Sequence, residues 1–411
     1  MDRVRHRPRG WVRHYARVLA PAGAPAGRVA LERDGEQRLR RLADAAADRA
    51  RQRLARTRPS MRALTALPGG RLCWRSVPVP PPPGPDGAIV HPIAVATCDM
   101  DPLIALGSSP FPLPLHLGHE SVAEVLTVGE RVAGVRPGER VIVPFQISCG
   151  RCPPCRSGRT GNCAGVPPIS MYGFGVAGGH WGGAYSDQLA VPYADAMLVP
   201  LPDGVDPVVA ASVADNVCDG YRHVAPHLPG LLERDPEAEV LIVGSVRRRS
   251  LYGASVPLYA GLVAKALGAR NVRFADSRPP VRAQAERLGL DVMHPQELRR
   301  RAPAPLVVDV SGSPAGQRTA LSNVAPDGVC SSAGGLHRTT RIPASLLYGR
   351  NATFHVGRTH VRTLIPQVLD LMVQMRLRPE AVTTTVARLD EAPGVLREHY
   401  VGGGIKAILT E

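Results

Sequence analysis

Four cysteines lie close together in one loop, and their types and spacing could bind a metal. The loop reads CGRCPPCRSGRTGNC, and its cysteines are Cys149, Cys152, Cys155 and Cys163. Gaps of two, two and seven residues let four thiolates surround one ion, as in a closed structural zinc site. An iron–sulfur cluster usually has a gap of three before its fourth cysteine, and disulfides would require an oxidising compartment. The four-cysteine loop therefore predicts structural zinc.

A second set of metal-binding residue types is spread more widely along the chain. Cys98 ends a strand-like run, and His119 follows about twenty residues later in the sequence Gly-His-Glu. A catalytic zinc takes three protein ligands and leaves one position open for water or substrate. A lone cysteine and a lone histidine also fit a buried thiol and a core imidazole. Taken alone, these two residues leave both interpretations open.

The order of the surrounding parts separates the two interpretations. After Cys98-Asp99-Met100-Asp101 come Gly118-His119-Glu120, the strand-and-turn pattern SVAEVLTVG, the segment VRPGERVIVP and the four-cysteine loop. This order resembles the zinc-containing medium-chain dehydrogenase/reductase family, the alcohol dehydrogenase group. The resemblance runs from about Met61 to the C terminus. It is nearest in pattern to the branch that contains glutathione-independent formaldehyde dehydrogenase.

The resemblance implies an α/β fold with two domains. A GroES-like, β-rich catalytic domain is expected over residues 61–215 and 356–411. A Rossmann dinucleotide-binding domain, with a doubly wound parallel sheet, is expected over residues 216–355. Residues 1–60 are predicted to form a basic, disordered extension, because too few apolar residues recur there at helical spacing to give a buried face.

The same resemblance implies the ligands of a catalytic zinc. Cys98 and His119 match the first two ligands of the family. Family members differ at the third, where Asp215 is the best match and Cys218 the rival. The following Gly220 fits the small residue at the start of the next helix, and this register favours Asp215.

Two further acids are expected beside the catalytic zinc. A ligating imidazole normally donates its other N–H to a carboxylate, and Asp101 occupies the position that does this for His119 in the family. Glu120 lies beside the zinc in relatives. The alternative for both acids is an ordinary surface carboxylate.

The dinucleotide site departs from the family pattern. A buried strand ends at Gly244, but about seven inserted residues precede Gly253 and Ser255, and Pro257 replaces a glycine of the usual fingerprint. The candidate cofactor residues are Gly244, Gly253, Ser255 and Asp276. Asp276 is placed to accept a hydrogen bond from the 2′-hydroxyl of the adenosine ribose. Its negative charge would repel the 2′-phosphate of NADP, so NAD is favoured. Arg278 and the inserted arginines argue for NADP instead.

Charge and hydropathy limit the expected partners. The net charge is +15, but residues 1–60 contain sixteen arginines and six acidic residues, which leaves only +5 for the rest of the chain. The chain has only two lysines, so its arginine excess indicates coding bias rather than a nucleic-acid surface. No apolar run approaches the length of a membrane span. We expect a cytoplasmic homo-oligomer, a dimer or tetramer, without nucleic-acid or membrane partners.

These observations predict an enzyme with two zinc ions per chain, one structural and one catalytic. Its expected reaction is hydride transfer between NAD and a small alcohol/aldehyde pair. One alternative is a polyol, sugar or amino-alcohol dehydrogenase of the same family. Another is a zinc-binding family member that has lost dinucleotide binding, because the glycine loop is interrupted.

Overall fold

The computed structural model describes residues 50, 53, 59–109, 111–175, 179–334 and 340–411. The basic extension predicted for residues 1–60 lies almost entirely outside these ranges. No helix within the described ranges is long and apolar enough to cross a membrane.

The described residues form strands in three sheets. In chain order the strands are β1 (Ser60–Leu67), β2 (Arg71–Pro78), β3 (Ala88–Ala96), β4 (Leu115–His116), β5 (Glu120–Val128), β6 (Arg140–Val143), β7 (Leu189–Val191), β8 (Val199–Pro200), β9 (Val240–Val243), β10 (Val272–Ala275), β11 (Asp291–Met293), β12 (Ala304–Asp309), β13 (Val324–Ser332), β14 (Thr353–Val356), β15 (Thr385–Arg388) and β16 (Ala407–Thr410).

The α-helices connect and cover these sheets. They are α1 (Asp101–Ala105), α2 (Pro153–Arg156), α3 (Ala194–Met197), α4 (Pro207–Ala210), α5 (Asn216–Val224), α6 (Leu228–Arg234), α7 (Ser255–Ala266), α8 (Pro279–Arg287), α9 (Pro314–Ser322), α10 (Ala344–Gly349), α11 (Val361–Val373) and α12 (Ala392–Gly402). Short 3₁₀ helices span Thr160–Asn162, Ala211–Ala214, Pro295–Arg300, Pro379–Val382 and Leu389–Glu391.

A largely antiparallel sheet positions the first predicted zinc ligands. Its strand order is β15-β16-β3-β5-β6-β8, with β7 also paired to β3, while β2, β1 and β4 form a smaller sheet. Ala96 at the end of β3 pairs with Glu120 at the start of β5, and also with Ile408 of β16. The register therefore brings together the chain just after β3, just before β5 and just before β16. Cys98, His119 and Lys406 lie in those three places.

The second large sheet is parallel, in the order β11-β10-β9-β12-β13-β14. All four residues of β9 are buried, as expected for a strand with helices on both faces of its sheet. β9 comes first in the chain and has later strands on both sides, so the topological switch point lies at its carboxyl end. The α/β fold class predicted from the sequence is confirmed.

A close contact between α5 and α7 joins the two large sheets. A Cβ atom at Gly220 would lie 2.8 Å from the backbone nitrogen of Ala260, so only glycine permits this approach. The starts of the two helices also meet, because the Ser255 hydroxyl donates to Asn216 Oδ1 at 2.8 Å, and Asp215 directly precedes Asn216. The crevice of the parallel sheet consequently borders the cluster around Cys98.

Candidate active site

The four-cysteine loop brings its thiols together as its spacing predicts. The sulfur atoms of Cys149, Cys152, Cys155 and Cys163 all lie within 4.8 Å of one another. The Cys152 and Cys163 sulfurs are 3.8 Å apart, far longer than a disulfide bond. Backbone N–H groups of Cys149 and Gly165 donate to the Cys163 sulfur at 3.3 Å. Donors aimed at sulfur stabilise thiolates, the form that binds zinc.

Crowding gives the thiols of this loop very different pKa values. A hydrogen bond from the backbone of Cys155 is the main cause that lowers the pKa of Cys152 to about 6. Burial, reinforced by Cys152, raises the pKa of Cys155 to about 12. Opposite shifts are expected when several thiols crowd together and hydrogen-bond to one another. The loop therefore fits a structural zinc ion.

The predicted catalytic residues also come together. Donor atoms of Cys98, His119, Glu120 and Asp215 lie within 4.8 Å of one another, and all four residues are buried. The Asp215 carboxylate oxygen Oδ2 is 3.4 Å from the Cys98 sulfur and 3.5 Å from His119 Nε2. Asp215 reaches this position because it ends the 3₁₀ helix before α5.

Buried polar atoms of this cluster lack partners, which is the chemistry expected of a cation site. Both ring nitrogens of His119 and one oxygen of Glu120 are buried without a hydrogen-bond partner among the described residues. Burial raises the pKa of the Cys98 thiol, and the charges of Asp215 and Glu120 raise it further. A divalent cation would neutralise this crowding, and a set of thiolate, imidazole and carboxylate suits zinc. The residues therefore fit a catalytic zinc ion.

The rival third ligand lies outside this group of donor atoms. Cys218 is fully buried on α5, and within the described residues it joins neither group of potential metal ligands. Burial raises the pKa of its thiol, as expected for a structural cysteine. The geometry therefore favours Asp215, and the choice of ligand remains a proposal.

Asp101 supports the Cys98 loop more directly than it supports His119. Its Oδ2 accepts from the backbone N–H of Cys98 at 2.9 Å and from the hydroxyl of Tyr400 at 3.4 Å. Its Oδ1 lies 3.9 Å from His119 Nδ1, beyond hydrogen-bond distance. The predicted orienting bond to the imidazole remains a prediction.

The sequence analysis missed the cation beside this cluster. Lys406 donates to Glu120 Oε2 at 2.7 Å, and both side chains are fully buried. Lys406 also donates to Asn216 Oδ1 at 3.0 Å and to the carbonyl of Thr97. Burial is the largest single influence and lowers the pKa of Lys406, but the charge and hydrogen bond of Glu120, together with Tyr259 and Cys98, raise it by more, so the net shift is upward. The one feature of the sequence that could have drawn attention to Lys406 is that lysine is rare in this arginine-rich chain.

Replacing Lys406 with methionine should be strongly destabilising. The change leaves Glu120 buried without its partner, which typically costs about 3–5 kcal/mol. We expect urea unfolding to show a loss of this size in the free energy of unfolding. Lys265→Met is the matched control, because Lys265 is exposed and bonds only carbonyl oxygens, so its loss should cost about 1 kcal/mol or less. Equal losses in the two variants would contradict the ion-pair account.

The predicted cofactor residues lie around one crevice at the switch point. Gly244 follows β9, Asp276 follows β10, and Ser255 begins α7. Asp276 is fully buried, and Arg278 binds both of its carboxylate oxygens, at 3.0 and 2.7 Å. The N–H of Ser255 is bonded to Asp99 at 3.0 Å. In this arrangement the polar groups that would bind a dinucleotide are paired with one another within the chain.

Comparison with known proteins agrees with the fold. The alcohol dehydrogenase GroES-like domain matches residues 84–203. A protein of Mycobacterium tuberculosis named "probable zinc-binding alcohol dehydrogenase" is 29% identical over 336 residues, which are 81% of this chain and 83% of that protein. A medium chain reductase/dehydrogenase of Acremonium is 31% identical over 236 residues, which are 54% of this chain and 75% of that protein.

Two further matches extend the similarity over most of the chain. The glutathione-independent formaldehyde dehydrogenase of Bacillus subtilis is 27% identical over 365 residues, which are 79% of this chain and 86% of that protein. The solved alcohol dehydrogenase of Thermus sp. ATN1 superposes with a TM-score of 0.75 at 28% identity, covering 85% of this chain and 99% of that one. The chain belongs to the zinc-containing medium-chain dehydrogenase/reductase family. It is an oxidoreductase that acts on CH–OH groups.

Proposed function

We propose that this oxidoreductase transfers a hydride between NAD and a small alcohol/aldehyde pair, with zinc held by Cys98, His119 and Asp215. The buried cluster of these three donors with Glu120 carries the proposal, because its crowded and unpaired atoms call for a divalent cation. Zinc there would supply Lewis-acid chemistry that polarises a bound alcohol or aldehyde oxygen.

The surroundings of the cluster favour a small substrate with an apolar body. The ring of Phe174 lies 4.9 Å from the ring of His119, and the ring of Phe145 lies 5.6 Å away. Phe111 packs edge-on against Phe174 at 4.8 Å. Aromatic walls exclude water and offer few groups that could bind several hydroxyls. They support an alcohol/aldehyde pair over a polyol.

A polyol, sugar or amino-alcohol substrate is the second candidate. Relatives of this chain include proteins named L-galactonate-5-dehydrogenase, from Escherichia coli, and L-threonine 3-dehydrogenase, from Coxiella burnetii. The substrates in the names of these relatives differ, as expected when one fold carries several activities. Cytoplasmic location, the homo-oligomer and the division into domains at residues 61–215, 216–355 and 356–411 likewise remain proposals.

A substrate panel tests the proposed reaction. Zinc-loaded protein would be mixed with NAD⁺ or NADP⁺ and with simple aliphatic and benzylic alcohols, sorbitol, L-galactonate or L-threonine, and absorbance at 340 nm followed. We expect reduction of NAD⁺ to be fastest with a simple alcohol. Faster reduction with a polyol or amino alcohol would favour the second candidate. No reduction with any pair would contradict hydride transfer to a nicotinamide.

Zinc counting tests the third ligand. We expect Asp215→Ala to hold one zinc per chain, because the cluster loses a charged donor, while Cys218→Ser keeps two. Metal content would be measured by inductively coupled plasma mass spectrometry after exhaustive dialysis. If Cys218→Ser lost one zinc and Asp215→Ala lost none, the ligand assignment would be wrong.

A further inference from the structure

The amino end of α7 is capped by an acid from the other large sheet. Its own N-cap residue, Ala254, offers no side-chain acceptor. Asp99 supplies one from 156 positions earlier in the chain. Its Oδ1 accepts from the N–H of Ser255 at 3.0 Å and from the hydroxyl of Ser255 at 2.6 Å, and its Oδ2 accepts from the N–H of Val256 at 3.0 Å.

These donors are the ones that a dinucleotide pyrophosphate would use. A helix of twelve residues presents free N–H groups and a positive dipole end at its start, which is where a Rossmann crevice binds phosphate. A carboxylate accepts hydrogen bonds from the same N–H groups and, like a phosphate, carries negative charge. Asp99 thus occupies the place of an anionic ligand.

The backbone around Asp99 leaves no gap for a ligand. The N–H of Gly253 donates to the Asp99 carbonyl oxygen at 2.9 Å. A Cβ atom at Gly253 would lie 2.2 Å from Asp99 Oδ1 and 2.7 Å from Asp99 Cα. Gly253 therefore makes room for the chain itself, whereas the fingerprint glycine of a dinucleotide site makes room for the cofactor.

The inserted loop closes the same crevice from a second side. Tyr252 lies over Gly312 beyond the end of β12, and a Cβ at Gly312 would meet the tyrosine ring at 2.7 Å. The carbonyl of Tyr252 accepts from Arg278 Nη1 at 2.8 Å, while the rest of that guanidinium binds Asp276. The two predicted recognition points, the helix start and the ribose acid, are each paired within the chain.

We propose that Asp99 is an internal competitor of the cofactor pyrophosphate, so that a dinucleotide binds only when Asp99 is displaced from α7. The proposal rests on the proposed function, since it takes NAD as the ligand of this crevice. The apparent affinity for a dinucleotide is the intrinsic affinity multiplied by the fraction of molecules in which the crevice is free. Wild-type protein should therefore bind NADH weakly, and Asp99 is the residue that sets this affinity.

Two variants of Asp99 and one control test the competition. Asp99→Gly removes the carboxylate, and Asp99→Asn removes its charge while keeping its size. Asp203→Gly removes an exposed acid in the turn after β8. NADH binding would be titrated by its fluorescence, without substrate, on protein checked for zinc content and thermal midpoint. We expect at least about tenfold tighter binding in Asp99→Gly, a smaller gain in Asp99→Asn and no change in Asp203→Gly.

The outcomes separate this proposal from the proposed function. If wild type and both Asp99 variants bind NADH with equal, measurable affinity, Asp99 is no competitor and the proposed function stands. If none of them binds NADH or NADPH although each holds two zinc ions, both proposals fail. Because the asparagine variant preserves the shape of the loop, a folding failure of Asp99→Gly still leaves a decisive comparison.

Discussion

Replacing Cys163 with serine is expected to leave the protein largely unfolded or aggregated. Zinc binding by small cysteine-rich sites contributes an apparent ~10–16 kcal/mol at pH 7, and this ligation energy is folding energy. A whole domain is stable by only about 5–15 kcal/mol. Circular dichroism and a thermal scan, together with zinc content, would measure the loss.

The contacts of the four-cysteine loop with α11 explain why unfolding of the loop should destabilise the rest of the protein. The N–H of Gly161 donates to His360 Nδ1 at 3.1 Å, and the carbonyl of Gly158 accepts from the Thr363 hydroxyl at 3.1 Å. The loop therefore supports the start of α11, which packs into the main core. Cys73→Ser is the control, because Cys73 lies on β2 and outside both groups of metal ligands. A native thermal midpoint in Cys163→Ser would refute a structural role for zinc.

The second large effect is expected at the catalytic cluster. His119→Ala should lower turnover by about 10³-fold or more, because metal-ion catalysis is worth several kcal/mol and each 1.4 kcal/mol is tenfold in rate. The variant should hold one zinc per chain and remain folded, since a catalytic ligand contributes less to the core than a structural one. Steady-state kinetics and zinc content would be measured on the same preparation.

A matched histidine separates chemistry from a general effect of the substitution. His355 is exposed on the edge strand β14, remote in the fold from Cys98. His355→Ala should keep both zinc ions and nearly all activity. Turnover of His119→Ala close to that of His355→Ala would show that the zinc does not lie at His119.

Motif spacing and order supplied the candidate metal ligands, which the structure brings together in two groups. The four-cysteine loop is local, so its gaps alone indicate tetrahedral geometry. Cys98, His119 and Asp215 are far apart along the chain, and only the family's order of parts connected them. The first strand of the parallel sheet was recognisable because β9 is a continuous apolar run, typical of a strand buried on both faces.

The partners of these residues could not be predicted in the same way. Lys406 binds Glu120 across 286 positions, and Asp99 caps α7 across 156. Neither contact has a local periodicity or spacing, because the first depends on the register of β16, β3 and β5 and the second on how the two large sheets meet. The interruption of the glycine loop was visible in the sequence, but its consequence was not. The structure shows that Asp99 and Tyr252 fill the space that the insertion borders.

Counting zinc in the native protein tests the central claim most directly. Native mass spectrometry of the intact, purified chain should show two zinc ions per protomer, one for the four-cysteine loop and one for the cluster of Cys98, His119 and Asp215. Both ions should remain after dialysis against buffer without metal. A protein that is fully folded and active with a single zinc, or with none, would contradict the account.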